Sequence, residues 1–159
     1  MNCLQLGSVD IKPSTVVRDL GVWLDSELTM HDHMSRAASS CFFHLRRLHQ
    51  LCGVVCRSTM QQLVSALVLS RLDYCNAVLS ELPSTTLDPL QRGLNAAVCL
   101  AAGVGPRDHV TEQMKELHWL PIKYRINFKL CLMMHVAVTD QCPQYISDIV
   151  HPLSTLPLF

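Results

Sequence analysis

The stretch Met30 to Leu48, MHDHMSRAASSCFFHLRRL, decides the fold class. Its apolar residues Met30, Met34, Ala37, Ala38, Cys41, Phe42, Leu45 and Leu48 recur every three or four positions. Side chains so spaced share one face of an α-helix, and Gly53 ends the run. Ser58 and Gln61 then match a capping box. Met60, Leu63, Val64, Leu67, Val68, Tyr74, Cys75, Val78 and Leu79 carry a second face as far as Pro83. Ser84-Thr85-Thr86 offers the next N-cap. Leu87, Leu90, Leu94, Ala97, Val98 and Ala101 make a third helix, closed by Gly103 and Gly105-Pro106. Asp108 or Thr111 opens a short helix to Leu117. Pro121 suits the first turn of another, where its missing N–H has no helical partner to lose. Ile122, Ile126, Leu130, Met133 and Met134 form that helix's apolar face. A last short helix, Tyr145 to Val150, follows Pro143, and the tail HPLSTLPLF reads as loose.

Upstream of Met30 the period is two. Leu4 and Leu6, then Val9 and Ile11, alternate with polar positions on either side of Gly7-Ser8. Val16 to Leu24, VVRDLGVWL, reads as a further strand, in which Gly21 marks a bulge or a close backbone approach. The expected fold is therefore mainly α: a small N-terminal β-hairpin or strands, then a bundle of about five or six helices. The chain divides into residues 1–28, which are β, a helical region 29–105, and a C-terminal helical segment 106–159.

Composition bounds the function. Apolar residues make up 49% of the chain and charged residues 16%, enough for a core and too hydrophobic for disorder. Lys plus Arg and Asp plus Glu number 13 each, giving zero formal charge. A free-standing nucleic-acid-binding domain is usually basic, so any such role rests on local patches. The most apolar stretch, Leu63 to Leu79, is interrupted by Arg71 and Asp73, so no membrane span is expected. The start, MNCLQLGSVDIKP, has no basic flank or long apolar run, so no signal peptide is expected. The expected setting is then intracellular and reducing, with the eight cysteines as free thiols.

Two basic patches stand out. From His31 to Met60, Arg36, Arg46, Arg47 and Arg57 accompany one acid, Asp32. Guanidiniums so placed either grip phosphates without reading sequence or cover a solvated helix face. In the second patch, Lys123, Arg125 and Lys129 stand beside Tyr124 and Phe128. Aromatics beside cations can stack bases, but at helical spacing they read better as core. Arg71, Asp73 and Asn76 interrupt an apolar helix and read as a structural polar network. Trp119, in His118-Trp119-Leu120-Pro121, reads as a plug at a helix corner. His49, Cys52 and Cys56 lack the second close pair that a structural zinc site usually shows. Cys41, Cys75 and Cys131 fall on apolar faces and read as small hydrophobes.

Several phrases, in this order, carry a family resemblance. They are VRDLGVWLDSELTM (Val17 to Met30), SRLDYCNAVL (Ser70 to Leu79), LQRGLNAA (Leu90 to Ala97), RDHVT (Arg107 to Thr111) and LHWLPIKYRINFKLCL (Leu117 to Leu132). Together they resemble the C-terminal part of reverse transcriptases from non-LTR retrotransposons, of the kind found in jockey-type elements and their vertebrate relatives. The resemblance implies that residues 1–28 are the last palm strands, with Leu20-Gly21 in the primer-contacting region. Residues 29–105 would be thumb-like, and 106–159 would follow the thumb. It implies a parent RNA-directed DNA polymerase acting in the nucleus, whose Mg2+ ions are held by carboxylates roughly 3.5–4 Å apart. In that family some of those carboxylates lie on a Tyr/Phe-x-Asp-Asp turn upstream of the Leu-Gly strand. This chain has no Asp-Asp pair. The expectation is therefore a template–primer-contacting part with no catalytic residue, no metal of its own and weak affinity for RNA or DNA. Relatives carry Arg where this chain has Cys52 and Cys99, and each difference removes a cation. The alternative is a non-enzymatic helical interaction module, or an inert relic, that self-associates through exposed apolar helix faces.

Overall fold

The computed structural model describes residues 4–6, 9–11, 14–105 and 108–150. The architecture is mainly α. Strands β1 (Leu4–Leu6) and β2 (Val9–Ile11) pair antiparallel. Strands β3 (Val16–Asp19) and β4 (Val22–Asp25) form a second antiparallel hairpin. Helices follow: α1 (His31–His49), α2 (Arg57–Val64), α3 (Ser70–Asp73), α4 (Ser84–Ala102), α5 (Val110–Glu116), α6 (Ile122–Val138) and α7 (Gln144–Ser147).

The single strand expected over Val16 to Leu24 is a hairpin instead. Leu20 and Gly21 both take left-handed backbone angles, φ 44° and 86°, and a two-residue turn of that hand matches the twist of paired strands. Sequence alternation hides such a turn, because Leu20 is apolar and keeps the period intact. The close approach expected at Gly21 is present: a Cβ there would lie 3.3 Å from a ring carbon of Tyr74.

The core lies between α1 and α4, with α2 packed against both. From α1 come Met34, Ala38, Cys41, Leu45 and Leu48; from α4, Leu87, Leu90, Leu94, Ala97, Val98 and Ala101. These are the stripes read from the sequence, except that Phe42 of the α1 stripe is exposed. Truncating a fully buried residue such as Leu94 to alanine should cost roughly 2–5 kcal/mol.

The second long helix is broken where the sequence read as continuous. A π-helical turn, Ser65–Leu69, separates α2 from α3 and shifts the buried face by one residue. At Cys75 the backbone turns left-handed, φ 51°, and a 3-10 turn, Asn76–Leu79, follows. As a result Tyr74 and Val78 are exposed rather than in the core. The expected capping box is absent: the N-cap is Cys56, and the Ser58 hydroxyl meets its Sγ at 3.1 Å. Helix α4 starts one to three residues earlier than the Ser/Thr run suggests, with Pro83 as N-cap. Pro121 stands just before α6 as its N-cap, not inside the first turn. The short C-terminal helix begins at Gln144, and the tail 151–159 lies outside the described residues.

Candidate nucleic-acid interface

Three features fix the hairpin and its place beside α1 and α3. The β3–β4 register sets Arg18 directly opposite Trp23, so their side chains share one face. The Asp25 carboxylate, at the end of β4, accepts from the Thr29 amide at 2.8 Å, the Thr29 hydroxyl at 2.9 Å, the Met30 amide at 3.0 Å and the Glu27 amide at 3.1 Å. These bonds, the Thr29 amide foremost, hold its pKa below the usual carboxylate range. At the other end of the hairpin, the Tyr74 hydroxyl donates to the Leu20 carbonyl, 54 residues away in sequence. With both ends held, the Arg36 guanidinium lies 4.0 Å from the Trp23 ring centre and that of Arg18 lies 5.9 Å from it. Stacking orders a guanidinium while leaving its N–H edges open to an anion.

A cleft of about 520 Å3 opens beside this stack, lined by Arg18, Arg36, Arg71, His33, Trp23 and Tyr74. Arg71 reaches it from α3, its Nε donating to the Leu67 carbonyl at 3.1 Å. The basic surface continues along α1. The Arg47 guanidinium lies 5.6 Å from the Phe43 ring centre, and Phe43 meets His44 edge-on at 5.4 Å. Burial lowers the pKa of His33. Burial, then the charges of Arg71 and Arg47, lowers that of His44. Among the described residues none of Arg18, Arg36, Arg47 or Arg71 forms an ion pair. Four guanidiniums, none of them in an ion pair among the described residues, and three aromatic rings therefore lie along the cleft and α1. Such a ridge can contact successive phosphates and lay bases on its rings.

The residues singled out in the sequence divide into groups. Arg36 and Arg47 belong to the ridge. Arg46 points round the helix from Arg47, its Nε donating to the Phe42 carbonyl at 3.4 Å. Arg57 is the exposed first residue of α2. Arg71 lies in the cleft and takes no part in the polar network expected of it. That network consists of Asp73, Asn76 and Arg125. The Arg125 Nε donates to Asp73 Oδ1 at 2.7 Å and its Nη2 to Oδ2, joining α6 to α3. Asn76 Nδ2 lies 3.5 Å from the same Oδ1, while its buried Oδ1 has no hydrogen-bond partner. Arg125 is thus tied up in a structural ion pair, and Lys123 and Lys129 remain exposed beside it.

Tyr124 and Phe128, read as core, are 60% and 61% exposed. Met133, Met134 and Cys131 are exposed as well. Helix α6 carries apolar residues on every side, so periodicity did not reveal which side faces inward. Trp119 packs against the core half-buried, its amide donating to the Met114 carbonyl at 2.9 Å. Leu20 is exposed at the hairpin tip. The sequence reading missed Arg18, Trp23 and His44. A two-residue turn at Leu20-Gly21 would have paired Arg18 with Trp23, but an apolar Leu in the turn hid that signal.

A second cleft, about 680 Å3, is lined by His49, Cys52, Arg92, Cys99, Leu100 and Val110 among others. The two cysteines that replace cations in the resemblance share it. Among the described residues no group of three or more His, Cys, Asp or Glu side chains is placed to hold a metal ion. No described helix is long and apolar enough to cross a membrane. Searched against family models, curated proteins and solved structures, the chain matches none.

Proposed function

We propose that the chain is the thumb-like, template–primer-contacting part of an RNA-directed DNA polymerase of the non-LTR retrotransposon kind, without its catalytic centre. The observation that carries this reading is the ridge of Arg18, Arg36, Arg71 and Arg47, with Trp23 and Phe43 stacked among them. Guanidiniums ordered by aromatic rings are pre-set for phosphates, and their contacts are independent of sequence. The sequence phrases supply the family assignment; the ridge supplies a surface suited to that role. Catalytic carboxylates and their Mg2+ ions would belong to another part of the polymerase. Fluorescence anisotropy with a labelled RNA–DNA hybrid tests the proposal. Four phosphate contacts predict that affinity falls roughly hundredfold between about 50 and 200 mM salt. No binding at low salt, or binding indifferent to salt, would sink it.

A second reading, a helical interaction module, draws on a separate observation. Helix α6 exposes Tyr124, Phe128, Leu132, Met134 and Val138 to solvent. Exposed apolar surface of that extent marks an interaction site. A protein that fails to enhance the fluorescence of 1-anilinonaphthalene-8-sulfonate while remaining monomeric would count against it.

A further inference from the structure

The cleft of about 680 Å3 beside α4 shares no lining residue with the cleft of the basic ridge. One stripe of α4 lines it: Arg92, Asn95, Ala96, Cys99, Leu100 and Gly103. Their spacing of three, one, three, one and three puts them on one side of the helix. The stripe runs about 16 Å along the axis. Its polar side chains, Arg92 and Asn95, stand together in the first turn, and the remainder is apolar or thiol. Ala96, Leu100 and Val110 pack on the core yet stay only half-buried, and Val104 is half-buried beside them. At the far end, a Cβ on Gly103 would meet nothing within 4 Å, so the stripe ends in open space.

We propose that this cleft binds a medium-chain fatty acid, its carboxylate at Arg92 and Asn95 and its acyl chain along the stripe toward Gly103. The site is independent of the nucleic-acid reading. Three observations favour this ligand. Arg92 forms no ion pair among the described residues, and no Asp or Glu lines the cleft, so an anionic head meets attraction without repulsion. Asn95 Oδ1 accepts from Gln91 Nε2 at 2.8 Å. That bond fixes the amide's orientation, and among the described residues nothing occupies its Nδ2. A guanidinium and an amide N–H three positions apart on a helix are neighbours and can donate to one carboxylate. Beyond that head site the walls are Ala96, Leu100, Val104 and Val110, which give an acyl chain apolar contact over about the extended length of dodecanoate. Clefts of this size, mostly apolar with a few convergent polar groups, are the usual form of small-molecule sites. A nucleic-acid strand would call for cations along the whole track, whereas this stripe has one, at its end.

Titration calorimetry of the full chain with sodium dodecanoate, kept below its micellar concentration, is the test. The expected result is one dodecanoate per chain, with dodecyltrimethylammonium, the same chain on a cationic head, not binding. Arg92→Gln should weaken dodecanoate roughly tenfold, the loss of one charge-assisted contact, while leaving the circular dichroism spectrum unchanged. Ala96→Phe should fill the cleft and abolish binding. The cleft's own thiols report the location: dodecanoate should slow maleimide labelling of Cys52 and Cys99 and leave Cys56 and Cys131 unaffected. Absence of binding overturns the proposal, as does equal affinity for the cationic amphiphile or indifference to Arg92→Gln. Protection of Cys131 in place of Cys52 and Cys99 moves the ligand to the exposed face of α6 and overturns it as well.

Discussion

The Arg36 guanidinium stacks 4.0 Å from the centre of the Trp23 ring, joining α1 to β4 across the loop that Asp25 holds. Trp23→Ala removes the surface that orders both Arg36 and Arg18. Affinity for an RNA–DNA hybrid should fall about fivefold, equivalent to about 1 kcal/mol. Arg36→Gln and Arg71→Gln should each lower the slope of log affinity against log salt by about one unit. Anisotropy titrations at several salt concentrations read both effects, and an unchanged slope would place the phosphates elsewhere.

His44 should couple binding to pH. Burial first, then Arg71 and Arg47, depresses its pKa, which keeps the imidazole neutral at neutral pH. A phosphate lying between those arginines offsets their charge, and the pKa rises in the complex. Binding then takes up a proton wherever the pH lies between the free and bound values. Affinity should therefore increase as pH falls from about 7.5 to about 5.5, the range in which histidine titrates. His44→Gln should flatten the profile; a profile unaltered by that change would remove His44 from the account.

The ion pair of Arg125 and Asp73 sits in a partly enclosed site, with side-chain exposures of 17% and 40%. Asp73→Asn leaves the more buried cation without its counter-charge. Stability should drop by roughly 2 kcal/mol, between the values for exposed and fully buried pairs. Urea denaturation checks this. In a double-mutant cycle with Arg125→Met, the two changes should be strongly non-additive.

Gly21 is required on two counts. Its φ is +86°, and a Cβ would meet the Tyr74 ring at 3.3 Å. Gly21→Ala should cost roughly 1–2 kcal/mol. Tyr74→Phe removes the bond to the Leu20 carbonyl but keeps the ring, and should destabilise less than Gly21→Ala. Thermal melts of the two variants should rank in that order.

The cysteines should react unequally. Hydrogen bonds from the Ser58 and Thr59 hydroxyls, each at 3.1 Å, lower the pKa of exposed Cys56 to about 7. Burial pushes Cys41 up to about 11. At neutral pH about half of Cys56 is thiolate, the reactive form. Iodoacetamide labelling followed by peptide mass spectrometry should find Cys56 modified early and Cys41 unmodified in the folded protein. The Cys56 rate should fall as pH drops below about 7, since protonation removes the nucleophile.

Sequence legibility followed amphipathicity. Helices α1 and α4 have one apolar stripe each, and their core residues Met34, Leu45, Leu90 and Leu94 were all readable from spacing. Helix α6 has apolar residues on all sides, so its inner face could not be read, and Tyr124 and Phe128 were assigned to the core wrongly. The break at Cys75 and the π turn before it were hidden because neither contains glycine or proline. The candidate interface was half visible. Arg36 and Arg47 lie on one helix and are linked by its periodicity. Arg18 and Arg71 join them through a hairpin register and a shifted helix that spacing alone does not report.

By itself the sequence determined a mainly helical chain, the stripes that build its core and the phrases that resemble a retroelement polymerase. Those are local properties, set by side-chain volume, polarity and period. Tertiary structure alone decided which cations would be paired and which left free. Arg125 and Arg71 both lie in polar phrases, yet one is neutralised by Asp73 and the other opens onto the cleft. The physical reason is that charge compensation depends on distance in space. Asp73 and Arg125 are brought together across 52 residues only when α3 and α6 pack.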